Sequence, residues 1–372
     1  MMLAVLMFTG ITVSAAHEDD NTPVKEAEKI ITNETDALFA GLPEETKNSL
    51  SALGITDTKS DGLSRLNFSS TVNELVNLIS RSSGTPLAGF AVCMGIILLC
   101  SVTESIKPCA GSQKLETVQN TVAALCISAG IIVPMSATIT RLSEVLTGAS
   151  GFMMLYVPIL AGLMVTLGKE SSAGSWYSSM MFMGNLLSSA AARVILPIMN
   201  VFLALSVTGA VSPNSRLGGL CESLYKAAKW ILTFLTSLFI TITSLNTMIT
   251  SPMDQVRSKA LRFTVSSFVP VVGGVLSEAL TTFSGSIQML KAGAGVFVII
   301  ASAFIILPVL AECVVWQFSL FLLNQISELT GASPAAGLFR SLSKAAGMMT
   351  ALLLCVLTVF IITTVIILMV SS

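Results

Sequence analysis

The chain has 372 residues, of which 53% are hydrophobic and only 11% are charged, and its net charge is −1. A soluble domain carries about 25% charged residues, so this chain has too few to cover a globule of its size. The composition excludes a soluble enzyme, a disordered protein and a basic nucleic-acid-binding protein. It predicts an integral membrane protein.

The N-terminal part of the chain, 1–85, differs in composition from the rest. Residues 1–16 form a short apolar run that ends in small residues, which is typical of a signal peptide. No Lys or Arg precedes the run, so a misassigned start or an uncleaved anchor are the alternatives. Between His17 and Arg81 there are 12 Asp/Glu and 6 Lys/Arg. We expect residues 17–85 to be an acidic extracytoplasmic segment of short helices that lie near the membrane surface or against a partner.

The remaining chain is an apolar body, and it predicts an all-α, polytopic helical membrane protein. A first transmembrane span with its loop is expected at 86–117, since a spanning helix needs about 20 largely apolar residues. The stretch 176–211 is too long for one span, and Arg193 and Pro197 interrupt it, so it is either one kinked helix or two spans. Apolar segments occur at 87–103, 118–140, 152–168, 176–192, 194–211, 229–250, 263–283, 293–311, 313–329 and 347–370; of these, 263–283 and 313–329 are polar enough to be re-entrant or interfacial.

The body also predicts an internal duplication, with repeats at 118–255 and 256–372. The pattern S-E-x-L-T-x-x-S-G occurs at 143–151 and again at 277–285. The first repeat is longer by about one helix. If that helix spans the membrane, the repeats are inverted, and if it is re-entrant they are parallel. Other matching pairs keep the same order in both halves: 132–134 with 268–270, 195–197 with 306–308, 208–213 with 330–334, and 223–228 with 341–346.

The residues required for common catalytic sites are missing from the body. It contains no histidine, Asp254 is its only aspartate, and no P-loop pattern occurs. The seven cysteines include no C-x-x-C pair, so structural thiols are expected rather than metal ligands. We expect no catalytic residue, no metal and no cofactor, and therefore no enzyme.

Polar groups at membrane depth are the remaining functional candidates, because burying them in lipid is costly. Such residues could line a polar or gating path through the membrane. The structural alternative is an interfacial position or an ion pair that only stabilises the fold, and this alternative is preferred for Lys291 and Glu312. The candidate polar or gating residues are Glu144, Arg193, Glu278, Lys291 and Glu312. The candidate hinge or packing residues are Pro197, Pro270, Gly273, Gly274 and Pro308.

Two segments carry a family resemblance. Residues 259–274 read KALRFTVSSFVPVVGG, and residues 212–229 begin with Ser-Pro-Asn. Both resemble the stage III sporulation protein AE family of endospore-forming bacteria. The resemblance extends over the whole order of signal peptide, polar segment and polytopic body, and only the missing basic start departs from it.

The resemblance implies a function that composition does not. It implies a place in the mother-cell membrane around the forespore, in an assembly with the other stage III proteins AA to AH and, indirectly, stage II protein Q. That assembly is a channel or secretion-like apparatus that supports late forespore gene expression through sigma factor G. Membrane lipid is an expected partner, nucleic acid is not, and self-association is left open. The alternatives are a self-contained secondary transporter of a small solute and a non-conducting scaffold.

Overall fold

The computed structural model describes residues 38–52, 68–106, 113–211, 217–268, 273–330 and 333–369. Within these ranges it describes only the backbone of 52, 68–72, 75, 103–106, 113–117, 119–120, 211, 247, 249–268, 273–292, 333–334 and 367–369. Nine α-helices and one π-turn have both ends within these ranges, and no strand lies there. The elements are α1 (Glu44–Ala52), α2 (Phe68–Ser82), α3 (Gly84–Ile106), α4 (Gln113–Thr166), α5 (Glu170–Ala190), the π-turn (Ala191–Ile195), α6 (Leu196–Val211), α7 (Leu217–Phe268), α8 (Gly273–Leu329) and α9 (Ser333–Met369).

Six stretches of helix within the described residues are long and apolar enough to cross a membrane. They confirm the predicted all-α, polytopic membrane fold. Several exceed a single span, because the apolar stretches of α4 and α8 contain 46 and 37 residues. At about 1.5 Å per residue these measure about 69 and 55 Å, whereas the hydrocarbon core is about 30 Å thick. Even a strong tilt of about 40° does not absorb this difference, so these helices extend beyond the hydrocarbon.

Neighbouring apolar segments of the sequence are joined into continuous helices. The segments 118–140 and 152–168 both contribute to α4, and 293–311 and 313–329 both lie in α8. Prolines lie inside these helices, at Pro134 and Pro158 in α4 and at Pro308 in α8. A proline within a helix removes one backbone hydrogen bond but does not always end the helix. Segment 313–329 is therefore helical through its length and is not a loop.

The stretch 176–211 is one helix with a defect in its middle. Helix α5 passes into the π-turn Ala191–Ile195, which contains Arg193, and continues as α6. Pro197 follows the π-turn and has no backbone N–H to donate to the carbonyl of Arg193. A π-turn accommodates such a missing bond without ending the helix. Of the two predicted alternatives, the structure has the single interrupted helix.

The core of the bundle is formed around the α8–α9 hairpin. Its side chains interlock with α4, as in the contact of Phe360 with Phe152 and Tyr156, at ring-centroid distances of 6.2 and 5.7 Å. The chain reverses between α4 and α5 at Gly168, whose φ of 75° favours glycine. The largest fully buried side chains are Trp316, Tyr156, Phe152, Phe202, Phe239, Phe297, Phe339 and Phe360.

The described part of the acidic segment packs on the body of the same chain. Leu38, Leu42 and Leu50 are almost fully buried. The ring of Phe39 lies 6.4 Å from that of Phe297 in α8, measured between centroids. Residues 38–52 lie against α8 and α4. The position of the acidic segment near the membrane surface or against a partner stays a prediction. Residues 1–37, including the predicted signal peptide, lie outside the described range.

The two copies of the predicted repeat motif lie at different places along their helices. The copy at 143–151 lies in the middle of α4, and the copy at 277–285 lies near the start of α8. The later motif pairs place the hairpin α6–α7 in correspondence with the hairpin α8–α9. Helix α5 is the additional helix of the first half. The duplication and its boundaries remain predictions.

Candidate functional site

A buried carboxylate connects α4 and α8. Glu312 in α8 has a fully buried side chain, and the Nη1 atom of Arg141 in α4 lies 2.8 Å from its Oε2. Thr138, one turn before Arg141, donates a hydrogen bond of 2.7 Å from Oγ1 to Oε1 of Glu312. Both carboxylate oxygens therefore have a partner on α4. The Arg141 side chain is 46% exposed, against 1% for Glu312, so the pair extends from the core to the surface.

Trp316 extends this network to a third helix. Its indole Nε1 donates to Oγ1 of Thr138 at 3.1 Å, one helical turn after Glu312. The far edge of the indole ring lies against Gly89 in α3, where an added Cβ atom would be 2.8 Å from Cη2 of Trp316. Only a glycine permits this close approach of α3 to the ring. The polar network is thereby closed off by an aromatic ring and three helices.

A proline precedes the network by one turn on each of its two main helices. Pro134 lies four residues before Thr138, and Pro308 lies four residues before Glu312. Oγ1 of Thr138 lies 3.1 Å from the carbonyl oxygen of Pro134 as well as beside the carboxylate. Its single proton is better used on the charged acceptor, which is the stronger partner. Each of the two prolines removes one backbone hydrogen bond of its helix close to the network, so the helix is less constrained there.

The electrostatics of the pair follow from its burial. An isolated carboxylate in a low-dielectric interior is strongly disfavoured, and pairing with a guanidinium together with a hydrogen bond offsets that cost. Removing one partner of a buried pair leaves an uncompensated charge. The arrangement can thus hold one negative charge at a fixed place in the bundle, neutralised by a cation that still reaches the surface.

A second ionic cluster joins the second turn of α7 to the fourth turn of α9. Glu222 in α7 contacts Lys344 in α9 and also lies 3.7 Å from Nζ of Lys226. The ammonium of Lys344 lies 5.8 Å from the centroid of the Tyr225 ring. Lys226 and Lys344 occupy equivalent positions in the proposed repeats, and a single carboxylate brings them together. The side chains of Glu222, Lys226 and Lys344 are between a third and three quarters exposed, so this cluster is solvated or interfacial.

Comparison with known proteins gives one family. The model of the stage III sporulation protein AE family matches residues 54–371. The chain belongs to the stage III sporulation protein AE family. Stage III sporulation protein AE of Bacillus subtilis (strain 168) is 19% identical over 188 residues, which are 50% of this chain and 47% of that protein. The match thus spans about half the length of the curated relative. No solved structure matches the chain.

Membership of the stage III sporulation protein AE family gives the chain a role in sporulation. The six apolar helices make it a membrane protein. Both statements agree with what the sequence predicted.

Of the polar candidates predicted from the sequence, Glu312 alone lies in the network. The Glu144 side chain is exposed on α4, and no cation among the described side chains pairs with it. Arg193 is exposed within the π-turn. Glu278 and Lys291 lie on α8, but their side chains are outside the described set. The backbone of α8 is one continuous helix through both positions, so no turn brings Glu278 and Lys291 together.

Of the hinge or packing candidates predicted from the sequence, some lie next to a helix defect or the buried network, and others lie away from both or outside the described residues. Pro197 begins α6 just after the π-turn, and Pro308 lies inside α8 beside the network. Gly273 and Gly274 form the first turn of α8, while Pro270 lies outside the described residues.

Sequence reasoning missed Arg141, Thr138 and Trp316. A signal for Arg141 was present, because it ends the uncharged run 117–140, just as Glu312 ends the uncharged run 292–311. Two lone charges of opposite sign, each following an apolar run, favour a pair. Thr138 carries no comparable signal, since hydroxyl residues are common throughout the body, and nothing near Trp316 in the sequence connects it to a distant threonine.

Proposed function

We propose that the chain is a membrane component of the channel or secretion-like complex between mother cell and forespore that late forespore gene expression requires. Its partners are then the other stage III sporulation proteins AA to AH and, indirectly, stage II protein Q. Its acidic N-terminal segment is extracytoplasmic in this proposal. Family membership supports the process, and the buried Glu312–Arg141 pair is the structural observation that supports a role beyond scaffolding.

The packing of the described interior favours action with partners over transport by one copy. A cavity between α4, α5 and α9 measures only about 30 Å³, and its lining includes Met153, Leu187 and Phe360. That is space for about one water molecule. The centre of the described bundle is filled by large aromatic side chains, so a solute path within a single copy finds no support here.

The length of the helices also favours action with partner proteins. Lipid covers exposed apolar side chains within the hydrocarbon, but apolar helix that extends beyond it needs other protein as cover. Exposed apolar side chains occur on several helices of the described body, including Val133 of α4, Phe182 of α5 and Phe318 of α8. A multi-protein complex supplies such cover.

The test uses an endospore-forming host that lacks its own family member. Glu312→Gln removes the charge with little change in volume, and Glu144→Gln on the exposed face of α4 is the matched control. We expect the Glu312 variant to reach the membrane in wild-type amount but to lose a forespore reporter that depends on sigma factor G. Glu144→Gln retains it. Normal reporter activity in Glu312→Gln would favour the scaffold, and solute movement by the purified chain alone in liposomes would favour the transporter.

A further inference from the structure

A surface groove runs between α7 and α9, away from the buried network. It encloses about 530 Å³, which is within the range of ligand sites, and it is open along one side. Its floor contains Leu232 and Leu354, and hydroxyl groups follow its α7 wall. The residues that line the groove include Lys229, Thr233, Thr236, Ser237, Thr241 and Cys355.

The threonine hydroxyls of this groove have partners within their own helices. Thr233 donates to the carbonyl oxygen of Lys229 at 2.9 Å, and Thr241 donates to that of Ser237 at 2.9 Å. Thr236 donates to the carbonyl of Leu232 at 2.8 Å and also contacts the thiol of Cys355. Because the protons of these threonines are already engaged, they do not need a polar ligand. An apolar chain can lie against them without leaving their donors unsatisfied.

One end of the groove carries a single positive charge. Lys229 is exposed, and no carboxylate among the described side chains pairs with it. It is the last charged residue before the long uncharged run 230–253. Trp230, the next residue, is 67% exposed and stacks on Phe234 with ring centroids 5.5 Å apart. A lysine followed by an exposed tryptophan at the start of an apolar span marks the level of the lipid headgroups.

We propose that this groove binds one anionic phospholipid of the surrounding bilayer. The phosphate lies at Lys229, and one acyl chain follows the groove towards Thr241. The helix rises about 18 Å between these two positions, which is close to half of the roughly 30 Å hydrocarbon core and hence to one leaflet. Basic sites between transmembrane helices bind anionic headgroups in this manner. The charge at one end and the apolar length together favour a lipid over an uncharged ligand.

Trp230 does not line the groove, but it directly follows Lys229 and so reports on lipid beside the proposed headgroup position. Of its three tryptophans, Trp176 and Trp316 are only 5% and 1% exposed, whereas Trp230 is 67% exposed. Contact quenching by lipids with brominated acyl chains therefore reports on Trp230. The full chain is reconstituted in phosphatidylcholine vesicles with increasing fractions of brominated phosphatidylglycerol or brominated phosphatidylcholine. Trp230→Phe identifies the share of the emission that belongs to Trp230.

We expect brominated phosphatidylglycerol to quench half of this emission at about a fivefold lower mole fraction than brominated phosphatidylcholine, the effect of one lysine near a charged headgroup. Lys229→Gln removes the difference. Lys226→Gln retains it, because that lysine lies one turn earlier and faces Glu222. Ser237→Phe fills the groove and removes the preference, while its unchanged phosphatidylcholine curve shows an intact fold.

Three results would overturn the lipid site. The first is equal quenching by the two lipids in the unaltered chain, and the second is an unchanged preference in Lys229→Gln. The third is shielding of Trp230 from both lipids that increases with protein concentration, which would place another copy of the chain, and not a lipid, beside Lys229.

Discussion

Two ionic clusters of the body each pair a glutamate with basic side chains, but in opposite surroundings. Glu312 is 1% exposed and has one cation, Arg141, whereas the Glu222 side chain is 39% exposed and has two, Lys226 and Lys344. Water can replace either lysine at Glu222, but it does not reach the carboxylate of Glu312. The same kind of contact therefore matters much more between α4 and α8 than between α7 and α9.

The strongest test of this comparison removes the cation of the buried pair. Arg141→Ala leaves the Glu312 carboxylate buried with only the hydrogen bond of Thr138. We expect the free energy of unfolding to fall by about 3–5 kcal/mol, as for other broken buried pairs. Denaturant titration in mixed micelles measures this change. A loss below about 1 kcal/mol, the range of exposed pairs, would mean that the carboxylate is solvated or protonated, and the contrast between the two clusters would disappear.

The contact of Trp316 with Gly89 beside the buried cluster predicts a second, smaller effect on stability. Gly89→Ala places a methyl group 2.8 Å from the Trp316 ring, and Gly95→Ala on the same helix meets nothing within 4 Å. Both substitutions improve helix propensity equally, so their difference reports packing alone. We expect Gly89→Ala to be less stable than Gly95→Ala by about 1–3 kcal/mol. Equal stabilities would show that α3 does not pack closely on the network.

The exposed cluster gives the smallest effect. Glu222→Gln removes the charge that Lys226 and Lys344 share. We expect little or no loss of stability, because exposed ion pairs contribute little. The loss shrinks further as salt is raised, since surface charges are screened. A loss as large as that of Arg141→Ala, measured in the same micelles, would place Glu222 in a buried environment.

Much of the fold follows from the sequence, because it depends on composition and on run length. The scarcity of charge predicts the membrane class, and the apolar runs predict where helices lie. The joining of 118–140 to 152–168 within α4 does not follow, since Arg141 and Glu144 resemble the edge of a span. Their neighbours nevertheless continue the helix, and Arg141 is retained there by its contact with Glu312.

The candidate site is predicted only in part, for a related reason. Glu312 stands out because a carboxylate within an apolar run is unusual. Its partners on α4 are far away along the chain, so no local pattern connects them to it. The position of Trp316 against Gly89 is likewise a property of packing between helices. Such contacts are determined by the arrangement of the bundle, which spacing within one helix does not encode.

The central claim is that the charge of Glu312 serves the sporulation complex and not only the fold. The double substitution Arg141→Met with Glu312→Met separates these roles, because replacing both members of a buried pair by apolar residues is often neutral or stabilising. Thr138 still has the carbonyl of Pro134 as an acceptor. In a host that lacks its own family member, we expect wild-type amounts of the variant in the membrane and no heat-resistant spores. Normal spore counts from this chargeless pair would contradict the claim.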